Sequence, residues 1–226
     1  MANSASDAGA SEFDIRTKMI EAGIIKQIVT LPSNMFTSVT LPATLWFFDK
    51  QKPNTDKKDE ILFIDARNVF TQVDRAHRKF SDEQIKNLGI ITKLYDGETE
   101  EFTKLIKEYE TNMANAPETS DEEDNPPKSY WQANIDWLKE RFPEGKYRNV
   151  IGLCKVAKLE GEDGVKDQDY SLNPGRYVGV VIEDDGMTEE EFKDKMLGLN
   201  KEYKALSDEV AGLENILDDN LKELFL

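Results

Sequence analysis

The chain offers few of the side chains that usually act as nucleophiles, proton carriers or soft metal ligands. Its 226 residues include one histidine, His77, and one cysteine, Cys154, which excludes a histidine-rich zinc site and an internal disulfide. Cys154 lies in an apolar pattern with no histidine nearby in sequence, so we expect a packed thiol rather than a nucleophile. The absence of disulfides fits a reducing cytoplasm.

His77 stands in a short basic cluster. Arg75, Arg78 and Lys79 flank it, and such side chains can contact the phosphates of a nucleic acid. A cluster of this size is more often a solvated helix end or loop, and this is the interpretation that the sequence alone favours.

Other motifs for catalysis or cofactor binding are missing from the sequence. The many Asp and Glu residues are scattered along polar stretches, so no acid–base pair is assigned. No Gly-x-Gly-x-x-Gly pattern occurs, and no glycine-rich turn follows an early apolar run. We therefore expect no catalytic residue, no cofactor-binding residue and no metal ligand within this chain.

Charge is spread unevenly over an acidic chain whose formal net charge is −16. Residues 14–95 hold 13 Lys and Arg against 10 Asp and Glu, whereas residues 96–226 hold 16 against 33. Because an acidic surface repels DNA phosphate, the second block is expected to meet a protein. No apolar run approaches the length of a membrane span, so no membrane contact is expected.

The first half of the chain has the pattern of a helix followed by strands. Residues 14–22 are predicted to form a helix that ends at Gly23. Apolar strands are predicted at 24–31, 42–48 and 61–65. This order is typical of one edge of a larger α/β sheet. Residues 1–13 lack the features of a secretory signal and are expected to be a disordered lead or a cloning remnant.

Helices dominate the prediction for the rest of the chain. Ser81 and Gln84 have the spacing of a capping box, which starts a helix that ends near Leu94. Further helices are predicted at 99–111, 129–141 and 147–160. Residues 112–128 are acidic and contain prolines, so a flexible linker is expected there. Residues 170–186 are expected to be irregular or strand-like.

The C-terminal segment carries the clearest periodic signal. Thr188 and Glu191 have the spacing of a second capping box. Eight apolar residues then follow at alternating spacings of four and three, which is an unbroken heptad repeat. They are Phe192, Met196, Leu199, Tyr203, Leu206, Val210, Leu213 and Leu217. We call these eight residues the seam, and we expect it to pack against another helix.

Several segments occur in an order that is informative as a set. A strand ends in Leu31-Pro32, a loop carries Phe36, and Leu41-Pro42 leads into the next strand. The helix IRTKMIEAGII precedes them, and EILFIDARNVF and SLNPGRYVG follow. Over residues 14–226 this ordered set resembles the C-terminal part of the modification (M) subunit of type I restriction–modification systems.

The resemblance implies an α/β fold in which trailing strands and helices of a doubly wound methyltransferase sheet precede an α-helical tail. That tail ends in the heptad-patterned helix. The expected parts are the lead over 1–13, the C-terminal portion of the catalytic domain over 14–95, a helix and acidic linker over 96–128, and a helical subunit-assembly region over 129–226.

The resemblance also implies that the full-length protein is a site-specific adenine DNA methyltransferase that uses S-adenosylmethionine. This chain alone is expected to bind no cofactor and to be inactive. Phe36 is the one residue carried over as functional, because in related enzymes an aromatic residue at this place stacks on a target base flipped out of the duplex. The alternative for Phe36 is a core phenylalanine under a loop.

Asn125-Pro126-Pro127 is similar to the Asn-Pro-Pro-aromatic motif that binds the target amine in these enzymes. Here Lys128 stands in place of the aromatic residue, and the motif follows an acidic run. We therefore interpret it as linker.

The partners that the resemblance implies are a specificity subunit, a second modification subunit, a restriction subunit and double-stranded DNA reached through the complex. The seam is the expected interface with the specificity subunit. The alternative function is a non-enzymatic adaptor that binds partner proteins through an acidic, coiled-coil-like tail. A glycine-rich loop and an Asn-Pro-Pro-aromatic motif in upstream sequence would favour the methyltransferase.

Overall fold

The computed structural model describes residues 6–7, 9, 11–36, 40–120, 125–181 and 187–225. The chain divides into two units, Met1–Val181 and Ile182–Leu226. Within the described ranges, the first unit contains four helices, a four-stranded sheet and a short hairpin, and the second contains one long helix. No helix in these ranges is both long and apolar enough to cross a membrane.

The helices and strands predicted up to residue 141 are confirmed, with small shifts at their ends. The first unit contains α1 (Ser11–Glu21), β1 (Ile25–Thr30), β2 (Thr44–Phe48), β3 (Glu60–Asp65), β4 (Thr71–Gln72), β5 (Arg78–Lys79), α2 (Asp82–Asp96), α3 (Thr99–Asn115), α4 (Lys128–Arg141) and β6 (Cys154–Lys158). Short 3-10 turns occupy Lys52–Asn54 and Pro174–Arg176, and α5 spans Glu189–Phe225.

The sheet is mixed, with the strand order β2-β1-β3-β6. The central strands β1 and β3 are parallel, and β2 and β6 run antiparallel to them at the two sides. Nearly every residue of β1 and β3 is buried, as expected for strands covered on both faces. Strand β2 keeps Leu45, Phe47 and Phe48 exposed.

Strand β6 corrects the helix predicted at 147–160. Cys154 lies opposite Ile64 and Val156 opposite Leu62 in an antiparallel pairing with β3. Gly152, just before the strand, has a φ of 74°, a backbone conformation that favours glycine and interrupts a helix. The region 129–226, which was predicted to be helical, therefore contains a strand of the sheet.

Each face of the sheet covers a separate core, so the unit has the layered α/β arrangement that the sequence predicted. Helices α2, α3 and α4 cover one face, where Leu62, Ile64, Ile91, Tyr109 and Leu138 are buried. Helix α1 and the segment after β6 supply the core of the other face, which includes Ile20, Ile28, Phe63, Leu172 and Tyr177.

Both predicted capping boxes are present. The Ser81 hydroxyl accepts from the Gln84 backbone N–H at 3.2 Å, and the Gln84 side-chain oxygen accepts from the Ser81 N–H at 2.9 Å. At the start of α5 the Thr188 hydroxyl accepts from the Glu191 N–H at 3.2 Å, and the Glu191 carboxylate accepts from the Thr188 N–H at 2.7 Å. These contacts satisfy backbone donors that a helix start leaves unpaired.

Described residues within the segment 1–13 contact the rest of the first unit. Ser6 is fully buried, and its carbonyl accepts a hydrogen bond from the Leu172 N–H at 2.9 Å. Asp7 lies 3.8 Å from the Arg176 guanidinium. The start of the chain therefore contacts a segment near the end of the first unit. Residues 1–5, 8 and 10 lie outside the described part.

Candidate functional site

The loop that carries Phe36 leaves the sheet at the carboxyl end of β1. Strands β1 and β3 are parallel neighbours, so the segments that follow them emerge at the same edge, where α/β proteins commonly bind ligands. The Leu31 N–H donates to the Ala43 carbonyl at 2.8 Å, which closes the base of the loop. Phe36 is 48% exposed, so its ring is not a core residue within this chain. Residues 37–39 are not described.

Arg78 of β5 contacts the first residues of this loop. Its backbone N–H donates to the Asn34 carbonyl at 3.0 Å, and its guanidinium Nη1 donates to the Ser33 hydroxyl at 3.0 Å. The guanidinium carbon also lies 4.0 Å from the centre of the Phe70 ring. Asn34 has a φ of 61°, a left-handed conformation that asparagine tolerates better than most residues. The loop thus turns sharply two residues before Phe36.

The carboxyl end of β3 carries a buried acid with its own counterion. Asp65 is 7% exposed and accepts from the Arg67 backbone N–H at 3.1 Å and from Arg67 Nε at 2.9 Å. Hydrogen bonding to Asp65 raises the pKa of the Arg67 guanidinium. A Cβ at Gly175 would lie 3.0 Å from Arg67 Nη2, so the Asn173–Gly175 turn packs closely against the Arg67 guanidinium.

The segment SLNPGRYVG, residues 171–179, packs against one face of the sheet. The Tyr177 ring stacks on Phe63 with 3.9 Å between ring centroids and 11° between planes. Its hydroxyl donates to the Ser171 carbonyl at 2.5 Å, and burial raises the pKa of Tyr177. The Asn173 side chain accepts from the Gly175 N–H at 3.2 Å. Buried stacking and local hydrogen bonds indicate a structural role for this segment.

His77 lies on the β4–β5 hairpin, beside the Phe36 loop. The residue is exposed, and its Nδ1 lies 2.8 Å from an Asp74 carboxylate oxygen. The hairpin is solvated, as the sequence favoured, but Arg78 within it is part of the loop's support. The sequence did not indicate that connection.

Cys154 is buried as predicted. Its side chain has no exposed surface, and Sγ lies 3.7 Å from the Arg148 carbonyl. Burial raises the pKa of the thiol to about 11. Because the thiolate is the reactive form, this residue is suited to packing.

We expect iodoacetamide to alkylate Cys154 in the folded chain at pH 8 roughly 100-fold more slowly than in guanidinium-unfolded chain. The folded thiol is both inaccessible and almost fully protonated, whereas an unfolded cysteine has a pKa of about 8.5. Intact-mass spectrometry over time measures both rates. Alkylation at similar rates in the two states would contradict the packed-thiol interpretation.

The Asn125-Pro126-Pro127 stretch lies immediately before α4. Asn125 is exposed, and Pro127 occupies the position before the first helical residue. Helix α3 continues through Asn115, so the predicted linker is shorter than 112–128. Residues 121–124 of that linker lie outside the described part. The motif therefore precedes a helix that packs on α2 and α3.

Helix α5 presents the seam to solvent within its own unit. All eight seam residues are between 50% and 70% exposed. Their heptad spacing places them along one stripe of the helix. Leu197 and Leu221, which lie beside this stripe, are also exposed. An apolar stripe of this length is unusual for a surface that meets only water.

The family of the chain follows from comparison with known proteins. A family model described as N-6 DNA Methylase matches residues 1–185. The chain belongs to the N-6 DNA methylase family.

Similar proteins are methylase subunits of type I restriction enzymes. The MjaIX methylase subunit of Methanocaldococcus jannaschii is 32% identical over 224 residues, covering 99% of this chain and 31% of the relative. The HindI methylase subunit of Haemophilus influenzae is 29% identical over 212 residues, covering 93% and 35%. The chain thus spans about a third of the length of these relatives. The resemblance to type I modification subunits is confirmed.

A solved structure that is similar to this chain is the methyltransferase subunit of a type I restriction–modification system from Streptococcus thermophilus. It is 18% identical, with a TM-score of 0.43, and the match covers 77% of this chain and 24% of that one.

Sequence reasoning missed three residues of the edge beside Phe36. Asp65, Arg67 and Arg78 were not selected as site residues. The pattern of an acid at the end of a buried strand, followed two residues later by arginine, was available as a signal, since buried carboxylates require partners. The ties from Arg78 join segments more than forty residues apart, and no local pattern reveals them.

Proposed function

We propose that this chain is the C-terminal part of a modification subunit whose full-length form transfers a methyl group from S-adenosylmethionine to N6 of adenine in DNA. Membership of the N-6 DNA methylase family carries this proposal. According to this proposal, the protein acts in the cytoplasm, and the sheet of the first unit forms the trailing strands of a doubly wound methyltransferase sheet. The chain contributes a target-base loop and a docking helix.

Phe36 is the proposed stacking partner of the flipped base. An adenine amine inside stacked DNA is out of reach, so the base must leave the duplex and be held by other contacts. A half-exposed aromatic ring on a loop at the carboxyl edge of the sheet is suited to this role. Arg78 supports the loop on one side, which limits the positions that the ring can take.

The seam on α5 is the proposed contact with the specificity subunit. In this assembly two modification subunits join one specificity subunit to methylate DNA, and a restriction subunit adds cleavage. The exposed seam needs a helical partner. The acidic residues around it, such as Asp208 and Glu209, favour a partner with basic flanks and would speed the encounter.

In this proposal the site for the methyl donor, S-adenosylmethionine, is formed by other sequence of the full-length subunit. A nucleotide cradle needs glycine at a strand end, so that backbone N–H groups can approach the ligand. Here β1 is followed by Leu31-Pro32 and β3 by Ala66-Arg67, so no residue of this chain is assigned to S-adenosylmethionine.

We expect titration calorimetry to detect no saturable binding of S-adenosylmethionine by the 226-residue chain and to detect binding by the full-length subunit. With the specificity subunit, the full-length subunit should also yield N6-methyladenine in DNA, which mass spectrometry of digested nucleosides identifies. Micromolar binding by the short chain would contradict the assignment of the donor site to other sequence. Failure of the full complex to methylate any DNA would favour the adaptor.

A further inference from the structure

The β4–β5 hairpin is a local basic feature on a strongly acidic chain. Its strands pair Thr71 with Lys79 and Gln72 with Arg78, and both strands are largely exposed. Arg75 lies at the tip. A net charge of −16 repels DNA as a whole, so a chain that approaches DNA needs local positive sites.

The turn of this hairpin is organised from within. One Asp74 carboxylate oxygen accepts from the Ala76 N–H at 2.7 Å and from the His77 N–H at 3.0 Å. His77 Nδ1 lies 2.8 Å from the other oxygen. The acid of the turn is therefore occupied by these donors. Arg75 is exposed and makes no hydrogen bond or ion pair with the residues that the structure describes.

The hairpin is also fastened to the Phe36 loop. The Arg78 backbone N–H donates to the Asn34 carbonyl and its guanidinium Nη1 donates to the Ser33 hydroxyl, both at 3.0 Å, and the guanidinium lies over the Phe70 ring. These contacts join the hairpin to the loop two and three residues before Phe36. Neither the guanidinium fork nor its stacking on a ring is reproduced by lysine.

We propose that the β4–β5 hairpin binds the phosphate backbone of double-stranded DNA beside the target base. Arg75 contacts a phosphate, and Arg78 is a positioning residue that couples this contact to the Phe36 loop. The inference rests on the proposed function of that loop. Phosphate contacts fix the register of a protein on DNA without reading sequence, so the hairpin would set where Phe36 meets the duplex.

The first test compares Arg75→Gln with Lys50→Gln in the full-length subunit bound to its specificity subunit. Lys50 is an exposed cation after β2, at the opposite edge of the sheet, because Phe48 pairs with Ile25 at the start of β1. Each variant removes one formal charge. DNA affinity is measured by fluorescence anisotropy over a range of salt concentrations, on specific and on non-specific duplexes.

We expect Arg75→Gln to reduce the slope of log affinity against log salt by about 0.9 and to weaken binding roughly 5- to 10-fold at 0.1 M salt on both duplexes. Lys50→Gln should leave the slope unchanged. Equal slopes for Arg75→Gln and wild type, or equal losses in the two variants, would overturn the proposal.

The second test uses Arg78→Lys, which keeps the charge and removes the fork. We expect an unchanged salt slope, roughly tenfold slower methylation at saturating DNA, and an altered fluorescence of 2-aminopurine placed at the target position. Unchanged base fluorescence and rate would overturn the positioning role. Because wild-type methylation is measured in the same experiment, failure of the hairpin inference is distinguishable from failure of the proposed function.

Discussion

Replacing Phe36 by alanine in the full-length subunit should slow methyl transfer to DNA by roughly 5- to 150-fold and leave donor binding unchanged. Stacking of a base on an aromatic side chain contributes about 1–3 kcal/mol, which corresponds to that range of rates. Phe36 lies on a loop and is half exposed, so its removal should cost little folding free energy. Transfer of tritiated methyl groups measures the rate, and calorimetry measures donor affinity.

Two further substitutions separate stacking from bulk. Phe36→Trp keeps a ring face and should retain most of the rate, whereas Phe36→Leu keeps apolar volume without the ring and should behave like Phe36→Ala. A 2-aminopurine probe at the target base should report the same order of the variants. An unchanged rate in Phe36→Ala would assign this residue to packing within the longer protein, and the loop would lose its proposed role.

The parts of the fold that local chemistry determines were predictable. Capping boxes at Ser81 and Thr188 depend on side chains three residues apart, and both formed as expected. The buried strands β1 and β3 are continuous apolar runs bounded by turn residues, which identifies them without tertiary information.

The parts that depend on distant partners were not predictable. The spacing of Val150, Leu153, Cys154 and Ala157 fits a helix, yet the side of β3 that faces away from β1 needs a partner strand, and this segment supplies it. Tertiary pairing thus overrides a local pattern. The hydrogen bond between Ser6 and Leu172, which lies far along the chain, likewise cannot be predicted from a short polar stretch.

The candidate site likewise contains one residue that the sequence indicated and one contact that only the fold reveals. Phe36 was found through family resemblance, because an aromatic residue in a loop has no chemical signature of its own. Its exposure separates it from an ordinary core phenylalanine within this chain. The support from Arg78 depends on the hairpin folding back against the loop, and it required the structure.

The seam of α5 leads to the other large expected effect. Leu206→Asp combined with Leu213→Asp should abolish co-purification of the full-length subunit with its specificity subunit. Burying a leucine contributes roughly 1.5–3 kcal/mol, so losing two weakens binding by about 150- to 20,000-fold, before the cost of burying two carboxylates. Both leucines are more than half exposed within their unit, so the rest of the fold should be unaffected, which circular dichroism checks.

The matched control places the same two charges on the opposite side of the helix. Ala205→Asp with Gly212→Asp changes positions at the same heptad spacing, facing away from the seam, and an added Cβ at Gly212 meets no atom within 4 Å. This variant should co-purify at wild-type yield, because added charge alone does not disturb a solvated helix face. Equal loss in both double variants would indicate general repulsion by the acidic tail. Wild-type yield for the seam variant would mean that α5 is not the docking element, and the seam would then have to pack against another part of the modification subunit.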